Sequence, residues 1–182
     1  MTELSYVDPL TGAANRRRLT QALSAAIERA TELSLPLGLI VIDVDHFKHY
    51  NDQHGHLAGD AALRAVAEAL QSATREQDLV ARFGGEEFAC LMIDADIDTV
   101  ARVAERMRAL VEALPPRRLG NDTDTITLSA GVLSRVPAAG EQADDLLREA
   151  DAAMYRAKSD GRNCVRIASA RQSDITSPPT SG

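Results

Sequence analysis

The stretch LVARFGGEEFACLMI, residues 79–93, indicates how this chain folds. Two largely apolar runs lie on either side of two glycines and the adjacent pair Glu86 and Glu87. Runs of this length separated by a short glycine-containing segment are typical of two antiparallel strands joined by a tight turn. The sequence therefore predicts a β-hairpin that presents two carboxylates at its tip.

Helical and extended patterns alternate on both sides of this hairpin. Apolar residues recur at helical spacing in four segments, and continuous or alternating apolar runs mark three further strands. The predicted helices span 16–33, 59–74, 100–114 and 144–158, and the predicted strands span 37–44, 124–133 and 161–167. This order favours an α/β fold with a mixed, largely antiparallel central sheet flanked by helices. The polar segment 169–182 is predicted to be a disordered C-terminal tail.

Composition excludes several classes of function. The chain has 182 residues, which suits one domain, and a net formal charge of −7, so it lacks the basic field that draws a protein to nucleic acid. Cys90 and Cys164 lie in apolar runs and are predicted to be small buried thiols. No apolar stretch is long enough for a membrane span, and no signal-peptide pattern begins the sequence. We therefore expect a cytoplasmic protein that binds neither membrane nor nucleic acid through this chain.

Carboxylates cluster at two places in the sequence. Asp43 ends a predicted buried strand and Asp45 follows at strand spacing, so both are predicted to point to the same face. Asp43, together with Glu86 and Glu87, is a candidate ligand for Mg²⁺, which prefers oxygen and is commonly held by carboxylates and substrate phosphates. The alternative is that the two glutamates are solvated at an ordinary turn.

Other polar residues suggest a nucleotide. Lys48, in the predicted loop after the acidic strand, and Lys158 and Arg162, around the end of the last helix, could contact phosphates. The latter two could instead simply favour the helix dipole. Asn51 and Asp60 offer an amide and a carboxylate that together can read a purine edge. For Asp60 the alternative is a helix N-cap.

Five ordered motifs resemble the GGDEF family of bacterial diguanylate cyclases. The similarity runs from Asp8 to about Ile167, which is almost the whole chain. The matching segments are DPLTGAANRR, DVDHFKHYNDQHGHLAGDAAL, RFGGEEF in the Glu variant of the signature, SAG at Ser129, and ADAAMYRAKSDGRN. The resemblance implies a fold like that of nucleotidyl cyclases and polymerase palm domains, with residues 1–168 as the catalytic domain.

The resemblance also implies roles for individual residues. Mg²⁺, with Mn²⁺ as the alternative ion, is expected to be held by carboxylates and one carbonyl, from Asp43, Val44, Glu86 and Glu87. The catalytic residues are expected to be Glu86, Glu87 and Lys48, with Glu86 accepting the proton of the 3′-hydroxyl. The substrate contacts are expected from Phe47, Lys48, Asn51, His56, Asp60, Leu63, Lys158 and Arg162.

The implied reaction joins two GTP molecules into cyclic di-GMP and releases two pyrophosphates. Because each chain of this family binds one GTP, two half-sites must face each other in a homodimer. The resemblance covers only a catalytic domain, and we expect it to be part of a longer signalling protein.

The segment REQD precedes the hairpin where the family has an R-x-x-D site for product inhibition. Arg75 can grip a guanine or a phosphate with two N–H groups, and Asp78 can accept from guanine. Arg102 and Arg106 lie one turn apart on the next predicted helix and are candidates for the second half of this site. A surface ion pair is the alternative for R-x-x-D.

Two other functions remain open from the sequence. A catalytically idle domain of the same fold could bind GTP or cyclic di-GMP as a regulatory module, although the intact acidic signature argues against this. An enzyme that makes an adenine-containing cyclic dinucleotide is the second alternative. Asp60 favours guanine, because adenine presents an unprotonated N1 at that edge.

Overall fold

A five-stranded sheet organises the computed structural model, which describes residues 5–169. In chain order the elements are α1 (Arg16–Leu33), β1 (Leu37–Val44), α2 (Phe47–His54), α3 (His56–Ser72), β2 (Leu79–Arg82), β3 (Glu87–Ile93), α4 (Ile97–Glu112), a 3₁₀ helix (Pro116–Leu119), β4 (Leu128–Arg135), α5 (Ala143–Ser159) and β5 (Val165–Ile167). The strand order is β2-β3-β1-β4-β5. All neighbouring strands are antiparallel except β4 and β5, which confirms the predicted mixed, largely antiparallel sheet.

The central strand β1 is buried along its whole length, as its continuous apolar run predicted. Alternate side chains enter different cores because successive residues of a strand point to opposite faces. Leu39 and Val41 pack with α1 and α5, whereas Ile40 and Ile42 pack with α2, α3 and α4. Helices therefore cover both faces of the sheet, and polar residues at the end of β1 lie at the edge of two cores.

Side chains fix where the helices begin. Asn15 accepts a hydrogen bond from the N–H of Arg18 at the start of α1, and Asp96 accepts from Thr99 at the start of α4. These bonds satisfy N–H groups that have no partner within the helix. The predicted bounds of α1 and β1 are confirmed residue for residue.

Three local predictions are wrong. Lys48 lies in the helix α2 and not in a loop. The next helix begins at His56 after Gly55, whose φ of +86° suits glycine, so Asp60 lies inside α3 and is not its N-cap. Strand β4 begins at Leu128 and not at residue 124, because Asn121 organises the preceding residues as a turn.

The two cysteines are free. Cys90 is buried as predicted, and burial raises the pKa of its thiol well above the ordinary value. Cys164 is only partly buried, so its predicted burial is not complete. The predicted disordered tail, 169–182, lies outside the described residues apart from its first residue.

Close packing of α5 on β4 generates a stability prediction. A Cβ at Gly131 would overlap the backbone of Ala150 and Met154 on α5, which cannot move like the end of a side chain. We expect Gly131→Ala to lower the free energy of unfolding by about 3 kcal/mol, the upper range for overpacking. Denaturant unfolding measures this change. Gly85→Ala is the matched control, since a Cβ there meets no atom within 4 Å; equal stability of both variants would contradict the packing argument.

Candidate active site at the hairpin tip

The predicted hairpin forms, and its tip lies against the end of β1. Asp43 of β1 is directly opposite Glu87 of β3 in the antiparallel register. The N–H of Val44 donates to the carbonyl of Glu86 at 3.1 Å, which continues the strand contact into the tip. The four residues predicted to bind metal, Asp43, Val44, Glu86 and Glu87, are thus adjacent.

Arg82 holds the shape of the tip. Its Nε and Nη2 atoms donate to the carbonyl of Gly85 at 3.0 and 2.9 Å, and its Nη1 atom lies 3.2 Å from Asp8. Burial opposes the charged form of Asp8, but bonds from Thr11 and Arg82 outweigh it and lower the pKa of this carboxyl. Sequence reasoning assigned no role to Arg82 or Asp8; both lie within the quoted motifs, but their contact is not visible in the sequence.

The carboxylates at the hairpin tip are partly buried and repel one another. Burial raises the pKa of Asp43, and the nearby Asp45 and Asp151 add to this, while Lys158 opposes it with Nζ 2.8 Å from Oδ2. Burial also raises the pKa of Glu87, with further contributions from Asp43, Asp151 and Glu86. Asp151 of α5 was not among the predicted site residues, and its carboxylate adds negative charge near Asp43 and Glu87. One close cation, Lys158, therefore faces several carboxylates.

Asp45 has a structural role. Its carboxylate accepts hydrogen bonds from Thr127 at 2.7 Å, from Ser129 at 2.6 Å and from the backbone N–H of Asn163 at 3.0 Å. Ser129 is the β4 residue opposite Asp43, so Asp43 and Asp45 lie on the same face, as predicted. Asp45 is therefore committed to joining β1, β4 and the segment before β5.

A cleft of about 400 Å³ runs from α2 and α3 to the hairpin tip. It contains both residues predicted to read guanine, Asn51 and Asp60, and the predicted proton acceptor Glu86. The other lining residues are Phe47, Lys48, Leu63, Arg82 and Gly85. Phe47 and Leu63 are buried and supply apolar walls. His56 is exposed at the start of α3 and does not line this cleft, and Arg162 is exposed after α5. The structure thus brings five of the eight predicted substrate residues together here.

The Asn51 amide has the character of a ligand-binding group. Its Oδ1 atom is buried and has no hydrogen-bond partner among the described residues, which is rare unless a ligand or water supplies one. It lies where a Cβ would be on residue 59, so Gly59 makes room for it at the start of α3. This explains the glycine immediately before Asp60.

The carboxylate cluster fits a divalent cation held jointly with phosphate. Burial first and neighbouring carboxylates second raise the pKa of Asp43 and of Glu87, and a hard cation bound there would favour their charged forms. Within residues 5–169, no three His, Cys, Asp or Glu side chains are gathered closely enough to hold a metal ion by themselves. Mg²⁺ commonly completes such partial sites with phosphate oxygens and water.

The predicted inhibitory residues lie away from the cleft. Arg75 pairs with Asp78, with Nη2 2.9 Å from Oδ1, and also donates to the carbonyl of Ile93 at 3.1 Å. The Asp78 side chain has no exposed area. Arg102 and Arg106 are exposed on α4, and no contact joins them to Arg75 or Asp78 in the described part of the chain.

A cavity of about 330 Å³ borders the Arg75–Asp78 pair on another side. Asp78 lines it together with Arg18 and Arg29 of α1. These two arginines were not predicted as partners, because nothing in the sequence indicates that α1 passes the segment before β2.

Comparison with known proteins identifies the family. The family model described as "Diguanylate cyclase, GGDEF domain" matches residues 5–164. The chain belongs to the GGDEF family. Among GGDEF relatives, it is 41% identical over 164 residues to the response regulator PleD of Caulobacter vibrioides, covering 90% of this chain and 36% of PleD. It is 39% identical over 164 residues to the diguanylate cyclase DgcP of Pseudomonas aeruginosa, covering 90% of this chain and 24% of DgcP.

A solved GGDEF structure shares the fold. The GGDEF domain of DgcB from Caulobacter crescentus, in complex with c-di-GMP, superposes with a TM-score of 0.84 at 35% identity, covering 93% of this chain and 97% of that chain. This likeness confirms the predicted palm-like cyclase fold. The chain spans well under half the length of PleD and DgcP. None of the helices described between residues 5 and 169 combines the length and apolar character that a bilayer crossing needs.

Repulsion among the carboxylates at the GGDEF hairpin predicts that removing one of these charges raises the stability of the chain, and that the gain depends on pH. The pKa of Glu87 is higher in the folded chain than in the unfolded chain. Its charged form therefore lowers the free energy of unfolding at pH values above the folded pKa. This loss of stability disappears at low pH, where the carboxyl is protonated in the folded and in the unfolded chain. We expect Glu87→Gln to raise the melting temperature at pH 8 and to lose this advantage as the pH falls towards the ordinary glutamic acid value of about 4.3. Glu32→Gln, at an exposed position of α1, is the control. A lower melting temperature for Glu87→Gln at pH 8 would contradict the repulsion.

Proposed function

We propose that this GGDEF domain, residues 1–168, is a diguanylate cyclase that condenses two GTP molecules into cyclic di-GMP and releases two pyrophosphates. One observation carries the proposal: the cleft that contains Asn51 and Asp60 ends at Glu86, beside the facing carboxylates of Asp43 and Glu87. A nucleotide base and a phosphate chain would thus meet a purine-reading pair and a cation-binding cluster in one cleft. Family membership and the bound c-di-GMP of the DgcB domain support it.

Guanine is the base that this pair of readers suits. A carboxylate at Asp60 can accept from both N1–H and the exocyclic amine, and the unpartnered Oδ1 of Asn51 can accept a further N–H. Phe47 and Leu63 would pack on the faces of the base. Adenine would present an unprotonated N1 to the carboxylate, which disfavours an adenine-containing product.

Cationic side chains are assigned to the triphosphate. Lys48 is exposed at the edge of the cleft, and Lys158 already lies at Asp43. Arg162 lies four residues after Lys158, beyond the end of α5, with a φ of +63°. His56 is the least supported of the predicted contacts because it lies outside the cleft lining.

The carboxylates are assigned two roles, cation binding and proton acceptance. Asp43, Glu86, Glu87 and the Val44 carbonyl would hold Mg²⁺ or Mn²⁺ together with substrate phosphates. Glu86, which faces the cleft, would also accept the proton of the 3′-hydroxyl. The 3′-oxygen then forms a bond to the α-phosphorus of the second GTP as the bond to pyrophosphate breaks. A bound cation supplies charge stabilisation for the attacking and leaving oxygens.

Two chains are required, because one cleft holds one GTP and each 3′-oxygen must reach the other nucleotide. The two half-sites would face each other across a two-fold axis. The substrate GTP is a cytoplasmic nucleotide, so we assign this domain to the cytoplasm.

The direct test compares products from the wild-type chain and Glu86→Gln. We expect cyclic di-GMP from GTP and Mg²⁺ with the wild type, and at least about 100-fold slower formation with the variant, because a general base commonly contributes that much. Mass analysis of the products over time measures both. Nucleotide binding without product from the wild type would favour a regulatory binding module instead. A mixed product from GTP and ATP would overturn the assigned base preference.

We propose in addition that cyclic di-GMP inhibits the enzyme at Arg75 and Asp78. Arg75 is partly exposed and could exchange its contacts with Asp78 for a guanine or a phosphate of the product. Arg18 and Arg29, on the adjoining cavity, and Arg102 and Arg106 on α4 are further cations for the same ligand.

Feedback predicts a specific kinetic pattern. Because the Arg75 site is separate from the GTP cleft, inhibition should be non-competitive with GTP, and Arg75→Ala should raise the inhibition constant about tenfold or more, as expected for charge-assisted hydrogen bonds. Initial rates against added product measure this. Arg117→Ala, an exposed arginine elsewhere, is the control. Equal inhibition of Arg75→Ala and wild type would leave Arg75–Asp78 as an ion pair only.

A further inference from the structure

We infer that residues 119–124, here called the 119–124 loop, act as a positioning element for guanine selection. The loop contacts both helices that carry the base readers, α2 with Asn51 and α3 with Asp60. Tyr50, His54, Asn121 and Asp124 are the positioning residues. The inference rests on the proposed function, and it concerns residues that touch no part of the nucleotide.

The helix α2 needs support from outside itself. It has eight residues, which is too short for a helix to be stable alone. The residue that precedes it, His46, has a φ of +53° and makes no side-chain capping bond. The place of Asn51 therefore depends on what α2 packs against.

Three contacts join α2 to the loop. The buried Tyr50 donates its hydroxyl hydrogen to the carbonyl of Leu119, and the Nδ2 of Asn121 donates to the Tyr50 oxygen at 2.8 Å. One turn later, His54 Nε2 lies 2.7 Å from Asp124 Oδ2. The rings of Tyr50 and His54 also touch, with centroids 4.8 Å apart.

The loop itself is rigidly built. Asn121 Oδ1 accepts from the N–H groups of Thr123 and Asp124 at 2.8 and 2.6 Å, and its Nδ2 also donates to the carbonyl of Asp124 at 3.0 Å. Gly120 has a φ of +79° and approaches Ala58 of α3 so closely that a Cβ would press on it. One short segment thus ties α2 and α3 at a fixed separation.

The positions of these residues on α2 explain why loosening the 119–124 loop would displace the base reader Asn51. Tyr50 and His54, four residues apart, face the loop, whereas Lys48 and Asn51, three residues apart, line the cleft. Loosening the loop would let Asn51 move relative to Asp60. Recognition of the exocyclic amine of guanine depends on both readers, so this contact should weaken more than the phosphate contacts.

The experiment measures selectivity for that amine. Dissociation constants are determined by calorimetry for 3′-deoxy-GTP and 3′-deoxy-ITP, which cannot react and differ only in the exocyclic amine. We expect Tyr50→Phe, His54→Ala and Asp124→Ala to lower the preference for 3′-deoxy-GTP about fivefold, the worth of one well-aligned hydrogen bond. His54→Gln, which can keep an N–H towards Asp124, should restore most of it.

Controls separate positioning from general destabilisation. His49→Ala removes an exposed histidine of α2 that has no hydrogen bond within residues 5–169, and it should keep the wild-type preference. Equal weakening of both nucleotides, or an unchanged preference in Tyr50→Phe, His54→Ala and Asp124→Ala alike, would overturn the inference. Asp124 is half-exposed, so we expect Asp124→Ala to fold and to test the inference even if Tyr50→Phe does not fold. If the wild type binds no guanine nucleotide, the proposed function itself fails, and this inference with it.

Discussion

Antiparallel pairing of β1 with β3 places the carboxylates of Asp43 and Glu87 directly opposite each other. Like charges directly opposite each other destabilise a sheet, and burial of the two carboxylates adds to this. Lys158 offsets part of the repulsion. Within the hairpin, Arg82 at the end of β2 holds the tip, and Asp8 from the N-terminal segment pairs with Arg82. The rest of the molecule supplies the rigidity that keeps this unfavourable arrangement, because β1 is buried on both faces and the hairpin cannot separate from it.

Much of this arrangement could be predicted from the sequence because it depends on strong local patterns. The continuous apolar run of β1 and the glycine pair of the hairpin define two strands, and their pairing brings the predicted metal ligands together. Helical spacing defined α1 without error. Recognising separate motifs as a family then placed Asn51 and Asp60 in one cleft, which neither residue indicates alone.

The remaining features depend on contacts between segments far apart in the chain. Helix α2 was missed because it is short, lacks a capping side chain and is stabilised by the 119–124 loop, about 70 residues later. Because α2 was missed, the start of α3 was also misplaced. Asp60 was therefore considered as its N-cap, although α3 begins four residues earlier, at His56. The arginines nearest Asp78, on α1, could not be found either, since the packing of α1 beside β2 carries no signal in the sequence.

We propose that the carboxylates at the hairpin tip bind a cation only together with a nucleotide. Titration of Mn²⁺ followed by electron paramagnetic resonance, with and without 3′-deoxy-GTP, tests it most directly. We predict tight Mn²⁺ binding only when the nucleotide is present, and its loss in Asp43→Asn. Equally tight binding without the nucleotide, or binding that Asp43→Asn leaves unchanged, would contradict this account of the site.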